Sequence, residues 1–294
     1  MRSVDVLVPK MPDQWPSACP QTSFAVPTWA RQRGTWAVTI LFLYGPTLTI
    51  LVLSFQGPDG GLTFPMNGVS THWFVRLFEP QAVGDFGGSL LRSLGLASMV
   101  TVATVVISLS AGMAFRRRFP GSDALFTLTV ASLIVPSILV SLGVGLLFSQ
   151  TGVDTTWYGS AFGAQLTWTL PFGLLIMFAV FNRFNHAWEE AANDLGASPW
   201  QRFRHVVLPI VLPSVVGIAL FGFTLSYDEF ARTMLTAGSD NTLPLEIIGM
   251  TTNVTTPVLY ALGTVTTVFS FLVIGVALLA MRLVAPKPIR PAGR

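Results

Sequence analysis

The chain is poor in charged residues and has almost no cysteine. Charged residues make up 11% of its 294 residues and hydrophobic residues 51%. Soluble domains carry about 25% charged residues, so this chain has too few to cover a surface that faces water. The single Cys19 excludes an internal disulfide and cannot build a thiolate metal site by itself. Together with the long apolar runs, these absences indicate a bundle of membrane-spanning helices.

The chain also lacks the sequence patterns of nucleotide-binding proteins and common hydrolases. A phosphate-binding loop needs a lysine after a glycine-rich turn, and neither Lys10 nor Lys287 follows one. His72, His186 and His205 have no metal-ligand spacing, and no G-x-S-x-G elbow occurs. We therefore expect a protein that is not an enzyme, with no catalytic residue, metal site or cofactor of its own. Uphill transport would draw its energy from a partner or from an ion gradient.

Six segments are long and apolar enough to cross a membrane. A spanning helix needs about 20 mostly apolar residues to cross about 30 Å of hydrocarbon. The proline-rich N-terminus has no continuous apolar core and does not resemble a signal peptide. We predict an all-α protein with a flexible tail over residues 1–35, a transmembrane domain over 36–284 and a second tail over 285–294. The predicted spans are residues 36–55, 93–115, 125–148, 162–181, 210–227 and 259–283.

The positively charged residues sort to one side of this arrangement. All but three of the 17 lysines and arginines lie before the first span, after the second, after the fourth or after the sixth. Cytoplasmic loops carry the excess of Lys and Arg, so both termini and the loop after the fourth span are expected in the cytoplasm. Arg76, Arg92 and Arg232 lie on the external side. The arginine run at 116–118 is interpreted as a topology anchor against anionic lipid.

Two features outside this core pattern have alternative interpretations. Residues 71–78 of the first external loop have apolar residues at spacings of three and four, which predicts an amphipathic helix along the membrane surface. A lid packed on the bundle is the alternative, and it is favoured over contact with a ligand. Glycines such as Gly112 permit close helix packing, and kinks at Pro136 and Pro171 either serve packing or act as hinges.

The cytoplasmic loop over residues 182–209 contains two helix signatures in tandem. The first predicts a helix from 184 to 195 that ends at Gly196, because glycine tolerates the left-handed conformation beyond a helix end. The second begins at Ser198, with Pro199 in the first helical position and Gln201 completing a capping box. Two short helices that meet at a glycine, displayed between membrane spans, indicate a surface that binds another protein. Large aromatic residues support this interpretation: Trp188, Trp200 and Phe203.

One spaced pattern covers this loop: Glu190-Ala191-Ala192-x3-Gly196-x9-Val206-x-Leu208-Pro209. It resembles the EAA loop of ABC importer permeases, which implies a six-span helical permease of the type I importer fold. The resemblance extends from about residue 36 to 283 and implies that the seven named residues couple the permease to a separate ATPase. Val206 stands where the family pattern usually has Ile, a conservative change.

Within that family the chain looks most like the spermidine/putrescine permease branch. The supporting stretches are residues 225–230 (Leu-Ser-Tyr-Asp-Glu-Phe), 236–238 and 242–247. Relatives with this pattern also import opines and other small organic solutes, so the resemblance implies a polyamine or a related solute as substrate.

Tyr227, Asp228, Glu229 and Phe230 are the candidate residues of the substrate pathway. Carboxylates at the end of a span are costly to desolvate and usually face water, a partner or a pathway. One interpretation is that Asp228 and Glu229 attract a cationic amine, helped by cation–π contact with the two rings. The other is that they cap the span in the headgroup region or pair with Arg232.

The resemblance also implies the partners and the location. These are ABC ATPase subunits that bind ATP and Mg²⁺, a second permease (a copy or a paralogue), an external solute-binding protein and the bacterial inner membrane, with no role for nucleic acid. Two other classes remain as alternatives. A secondary transporter driven by an ion gradient would need ionisable residues at mid-membrane and often has inverted repeats; a membrane scaffold would transport nothing.

Overall fold

The computed structural model describes residues 29–79, 84–116, 119–253 and 256–284. Every named element in these residues is helical, which confirms the predicted all-α class. The second tail, most of the first tail, Arg117 and Arg118 lie outside the described residues. The described part of the first tail, residues 29–35, is helical. The first helix therefore begins earlier than predicted. The hydrophobic pattern shows where a span leaves the hydrocarbon layer of the membrane, whereas the helix itself can extend beyond that layer.

Two compact units make up the chain, Met1–Leu48 and Thr49–Arg294. The described residues of the first unit belong to helix α1 (Trp29–Leu53), whose last residues lie in the second unit. The other helices are α2 (His72–Arg76), α3 (Phe86–Phe115), α4 (Ser122–Ala131), α5 (Ser137–Thr151), α6 (Ser160–Asn182), α7 (Ala187–Asp194), α8 (Pro199–Arg202), α9 (Leu208–Tyr227), α10 (Leu243–Asn253) and α11 (Val258–Val284).

Helices cover most of each predicted span, but they differ in length. Four described helices are long and apolar enough to cross a membrane: α3, α6, the continuous helix Pro199–Tyr227 and the stretch Val258–Val276 of α11. A fifth is present if α4 and α5 form one broken span, whereas the apolar part of α1, Val38–Leu53, is shorter. The described residues thus contain four or five helices of spanning length, and the count of six stays a prediction.

The third predicted span, residues 125–148, is not one helix. α4 and α5 meet at 103°, joined by a 3-10 turn at Ser132–Ile134 and extended backbone at Val135 and Pro136. Helical backbone is disfavoured at the residue before a proline, and proline has no N–H to donate the hydrogen bond that continues a helix. The kink expected at Pro136 is therefore a complete break. Pro171, by contrast, lies inside the uninterrupted α6.

The segment between α9 and α10 packs against this break. The Leu235 N–H donates to Ser141 Oγ at 2.9 Å, and Arg232 Nη1 donates to Ser137 Oγ at 2.5 Å. Both acceptors lie on α5. Irregular backbone is tolerated among membrane helices where protein covers it, so the break and the segment that fills it satisfy each other.

Helix α3 packs along both α6 and α9. Thr104 of α3 and Thr169 of α6 share a buried hydrogen bond of 2.8 Å between their hydroxyl groups. Towards one end of α3, Gly112 is buried against α6: an added Cβ would lie 2.9 Å from Met177 Cβ and from an edge atom of the Phe181 ring. The absence of a side chain at Gly112 sets how closely the two helices approach, as predicted for the small residues of the spans.

The short helix α2 is a lid on the bundle. Its Trp73 and the following Leu77 are buried, and both belong to one apolar cluster with Val258 and Leu262 of α11. The lid interpretation of residues 71–78 is therefore confirmed in place of a helix lying free along the membrane surface.

We expect Gly112→Ala to lower the free energy of unfolding by about 1–3 kcal/mol, because the new methyl group overpacks the α3–α6 contact. Gly163→Ala is the matched control: an added Cβ there meets nothing within 4 Å, so the same methyl group should stabilise helix α6 by up to about 1 kcal/mol. Unfolding in mixed detergent micelles measures both changes. Equal effects at the two positions would contradict the packing assignment.

Candidate functional site

The loop over residues 182–209 turns sharply at Gly196. The Gly196 N–H donates to the Asn193 carbonyl at 2.8 Å, and the Ala197 N–H donates to the Ala192 carbonyl at 3.0 Å. These two bonds form a Schellman motif, which requires a left-handed residue after the helix. Gly196 has a φ of 83° and supplies that conformation without a steric penalty. The glycine end predicted for the first helix is therefore present, although α7 begins at Ala187 rather than at 184.

The second helix begins with the predicted capping box. Gln201 Oε1 accepts from the Ser198 N–H at 2.8 Å, and Ser198 Oγ accepts from the Gln201 N–H at 3.3 Å. Pro199 occupies the first helical position. Together with the Schellman motif, these bonds satisfy backbone groups on both sides of the turn, so the loop has a defined shape.

The prediction of a second short helix is wrong, because α8 continues into α9. A π turn over Phe203–Val207 joins them, and the Leu208 N–H donates to the Phe203 carbonyl five residues earlier. Pro209 cannot donate to the carbonyl four residues before it, and a one-turn π bulge accommodates such a gap in a helix. Val206, Leu208 and Pro209 thus lie at a bulge in one helix, Pro199–Tyr227, that links the loop directly to a span.

The loop has an exposed face and a buried face. Trp188, Leu195 and Trp200 are 51%, 89% and 64% exposed, and Glu190 and Ala191 are exposed beside them. On the other side, Phe184 and Val207 are buried in an apolar cluster with these residues of α6 and α9: Met177, Phe181, Val211 and Ile218. Large apolar side chains that remain exposed on a structured loop mark a surface for another protein.

Arg116 fixes the loop to the end of α3. Its Nη1 donates to Glu189 Oε1 at 3.3 Å, its Nη2 bonds Glu189 Oε2, and Nη2 lies 2.9 Å from His186 Nδ1. The guanidinium carbon also lies 5.2 Å and 4.9 Å from the ring centroids of Phe181 and Phe184. The hydrogen bonds from Arg116 hold the pKa of the Glu189 carboxyl below its usual value.

Sequence reasoning missed this contact. It interpreted Arg116 as a topology anchor. The arginine and the carboxylate are 73 residues apart, so no local spacing indicates that they meet. A charge on a structured loop is the only signal, and it does not identify the partner.

The four candidate residues of the substrate pathway separate into two environments. Tyr227 and Asp228 line a cavity of about 420 Å³ between the end of α9 and helices α10 and α11. The other lining residues are Leu243, Pro244, Ile247, Ile248, Thr266, Thr267 and Ser270. The Tyr227 ring is buried and stacks 6.0 Å from Phe223, whereas Asp228 is exposed. The cavity therefore combines one carboxylate, an aromatic ring, hydroxyl groups and apolar side chains.

Glu229 does not line that cavity, because it serves as counter-ion to Arg232. Arg232 is fully buried, and its Nη1 lies 3.8 Å from Glu229 Oε2. Glu229 Oε1 also accepts from the Arg232 N–H at 2.9 Å, and the guanidinium carbon lies 4.6 Å from the Trp168 ring centroid. Phe230 is likewise absent from the cavity lining. Of the four predicted residues, the structure brings only Tyr227 and Asp228 together around a cavity.

Comparison with known proteins identifies the family. The sequence profile of the binding-protein-dependent transport system inner membrane component matches residues 92–290, about two thirds of the chain. The chain belongs to this family. The predicted resemblance to importer permeases is thereby confirmed.

Individual relatives of this family agree with the assignment. The chain is 30% identical to the spermidine/putrescine transport system permease protein PotC of Haemophilus influenzae, over 83% of this chain and 94% of that protein. It is 27% identical to the putrescine transport system permease protein PotI of Escherichia coli strain K12, over 79% and 85% of the two chains. A crystal structure of a bacterial ABC transporter that imports alginate has the same fold, with a TM-score of 0.66 at 15% identity over 88% of this chain and 96% of that one. The resemblance to the spermidine/putrescine branch is thus confirmed.

Glu229→Gln should lower the free energy of unfolding by about 3 kcal/mol, because it leaves the buried Arg232 without its counter-ion. The Gln amide oxygen can still accept from the Arg232 N–H, so the loss of stability reports the removal of the charge. Asp228→Asn removes the same charge one residue away from an exposed position and should change stability by less than about 0.5 kcal/mol. Thermal unfolding in detergent measures both. A Glu229→Gln variant as stable as Asp228→Asn would refute the ion-pair assignment.

Proposed function

We propose that this chain is the permease subunit of an ATP-driven importer and docks on a separate ATPase through α7 and α8. The loop supports this proposal: a Schellman turn and a capping box hold two helices that expose Trp188, Leu195 and Trp200. The helix after the turn runs without interruption into a membrane span. A displacement of the docked loop therefore passes into the bundle along a rigid helix.

The remaining subunits follow from the same proposal. The chain forms the solute pathway with a second permease, either a copy or a paralogue, and an external binding protein delivers the solute. ATP and Mg²⁺ bind to the ATPase, so this chain contributes no step of hydrolysis. Both termini and the α7–α8 loop face the cytoplasm of a bacterial cell, because most of the lysines and arginines lie on that side.

The proposed solute is a polyamine or a related small organic molecule such as an opine. Two relatives are named for spermidine or putrescine transport. The cavity beside Tyr227 and Asp228 offers a carboxylate that is not engaged in an ion pair within the described residues. A protonated amine gains from such a carboxylate and from an adjacent aromatic ring, so we place the cationic end of the solute at this cavity during passage.

Substitution of Gly196 by valine tests the coupling. A β-branched residue at a φ of 83° costs about 1–2 kcal/mol or more, so the Schellman turn opens and the docking face loses its shape. We expect putrescine uptake by membrane vesicles to fall at least about tenfold, with normal amounts of this chain in the membrane and less ATPase co-purified with it.

Gly121→Val is the matched control for that experiment. Gly121 precedes α4, has a φ of 88° and would place an added Cβ in open space, as Gly196 does. The two substitutions impose the same local strain, but only one of them falls on the proposed docking loop. Normal uptake by Gly196→Val, or an equal loss in both variants, would overturn the coupling assignment.

Neutralising Asp228 tests the solute pathway. Asp228→Asn should lower the uptake of putrescine and spermidine by about three- to tenfold, because one charge-assisted contact with an amine is lost, while stability is retained. Asp240→Asn removes an exposed charge of the nearby loop that does not line the cavity and should leave uptake within about twofold. Unchanged polyamine uptake by Asp228→Asn would remove this residue from the pathway.

A further inference from the structure

We infer that Arg116 makes α3 move together with the docking loop, so that the ATPase drives α3 directly in addition to the spans α6 and α9 that flank the loop. The inference rests on the proposed function, because it concerns how a docked ATPase moves the spans. It assigns Arg116 as a positioning residue. The observation that carries it is the two-pronged contact between Arg116, at the end of α3, and Glu189 on α7.

The contact is built for a fixed geometry. Arg116 presents two nitrogen atoms to the two oxygen atoms of one carboxylate, an arrangement that fixes both distance and orientation. Its side chain is 10% exposed and that of Glu189 is 20% exposed. The guanidinium also lies against the Phe181 and Phe184 rings. An arginine that only contacts lipid headgroups needs neither this two-pronged contact with Glu189 (the fork) nor a buried position.

The placement of the contact gives it a mechanical consequence. The backbone of α7 packs on α8 and on the π turn, and both of these lead into α9. Among the described residues, Arg116–Glu189 is the ion pair that joins α7 to a different span. Helix α3 in turn packs along both α6 and α9. Without the fork, displacement of α7 enters the bundle through the flanking helices α6 and α9; with it, α3 is displaced in the same step.

Neighbouring groups do not replace this contact. His186 lies 3.7 Å from Glu189 and 2.9 Å from Arg116 Nη2, so it joins the loop to α3 only through the same guanidinium. Arg183, at the end of α6, is exposed and makes no ion pair within the described residues. It carries the same charge on the same side of the membrane, which makes it the matched control for a role in topology alone.

Spin-label distances in the assembled transporter test the inference without requiring knowledge of the solute. One label is placed on α3 at Ala114→Cys and the other on α7 at Asn193→Cys, both exposed positions, in a Cys19→Ser background. The complex is purified with its ATPase and compared with Mg-ATP plus vanadate and without nucleotide. In the parent protein the distance between the labels stays constant between the two states. In Arg116→Gln it changes between them, because α7 moves without α3.

A coupling measurement accompanies the distances. Uptake of labelled putrescine per ATP hydrolysed, in proteoliposomes with the binding protein, should fall by about tenfold in Arg116→Gln and in Glu189→Gln. It should fall less in Arg116→Lys, which keeps the charge and loses the fork. The double variant Arg116→Glu with Glu189→Arg should recover most of the loss, and Arg183→Gln should match the parent.

Three results would overturn the inference: a constant label distance in Arg116→Gln, an unchanged uptake-to-ATP ratio in that variant, or an equal loss in Arg183→Gln. A loss confined to the amount of protein in the membrane, with normal uptake per molecule, would assign the pair a structural role and also overturn it. Failure of the proposed function is distinguishable, because then the parent assembly itself takes up nothing or co-purifies without an ATPase.

Discussion

The requirement that polar groups among membrane helices find protein partners explains most of the irregular structure in this chain. A break at Pro136 frees backbone groups and brings the hydroxyls of Ser137 and Ser141 to the surface of α5. The segment after α9 supplies what they need: a guanidinium from Arg232 and a backbone N–H from Leu235. The buried arginine and the helix that follows the break are therefore in direct contact, as expected for a polar group that is covered by protein.

The α7–α8 loop lies outside the spans, where its exposed groups do not need protein partners for solvation. Three contacts instead fix the shape and position of the loop: the Schellman turn at Gly196, the capping box at Ser198 and the Arg116–Glu189 fork. A loop that only connected two spans would gain little from three such devices. Their concentration around one exposed aromatic face is what a surface that transmits force requires, since a flexible loop would absorb the displacement that it receives.

The sequence predicted what depends on local pattern and missed what depends on distance along the chain. The helix class, the glycine turn and the capping box follow from residue type and spacing, and they are present. The break at Pro136 was expected as a kink, because proline indicates a disturbed helix but not which segment fills the gap. The Arg116–Glu189 contact joins residues that no periodicity relates, and the extension of α8 into α9 depends on a π turn that has no clear sequence signature.

Asp228 and Glu229 show how neighbouring residues of the same type acquire different roles. The backbone turn after α9 directs Glu229 towards Arg232, where its carboxylate compensates the charge of a buried guanidinium. That pairing leaves Asp228 as the carboxylate at the cavity beside Tyr227. A buried pair resists exchange with a ligand, because separating it exposes two charges to an apolar surrounding; an exposed carboxylate beside a cavity exchanges water for an amine at little cost. The structural acid and the acid proposed for the solute pathway are thus adjacent in the sequence, and removing both together would confuse stability with transport.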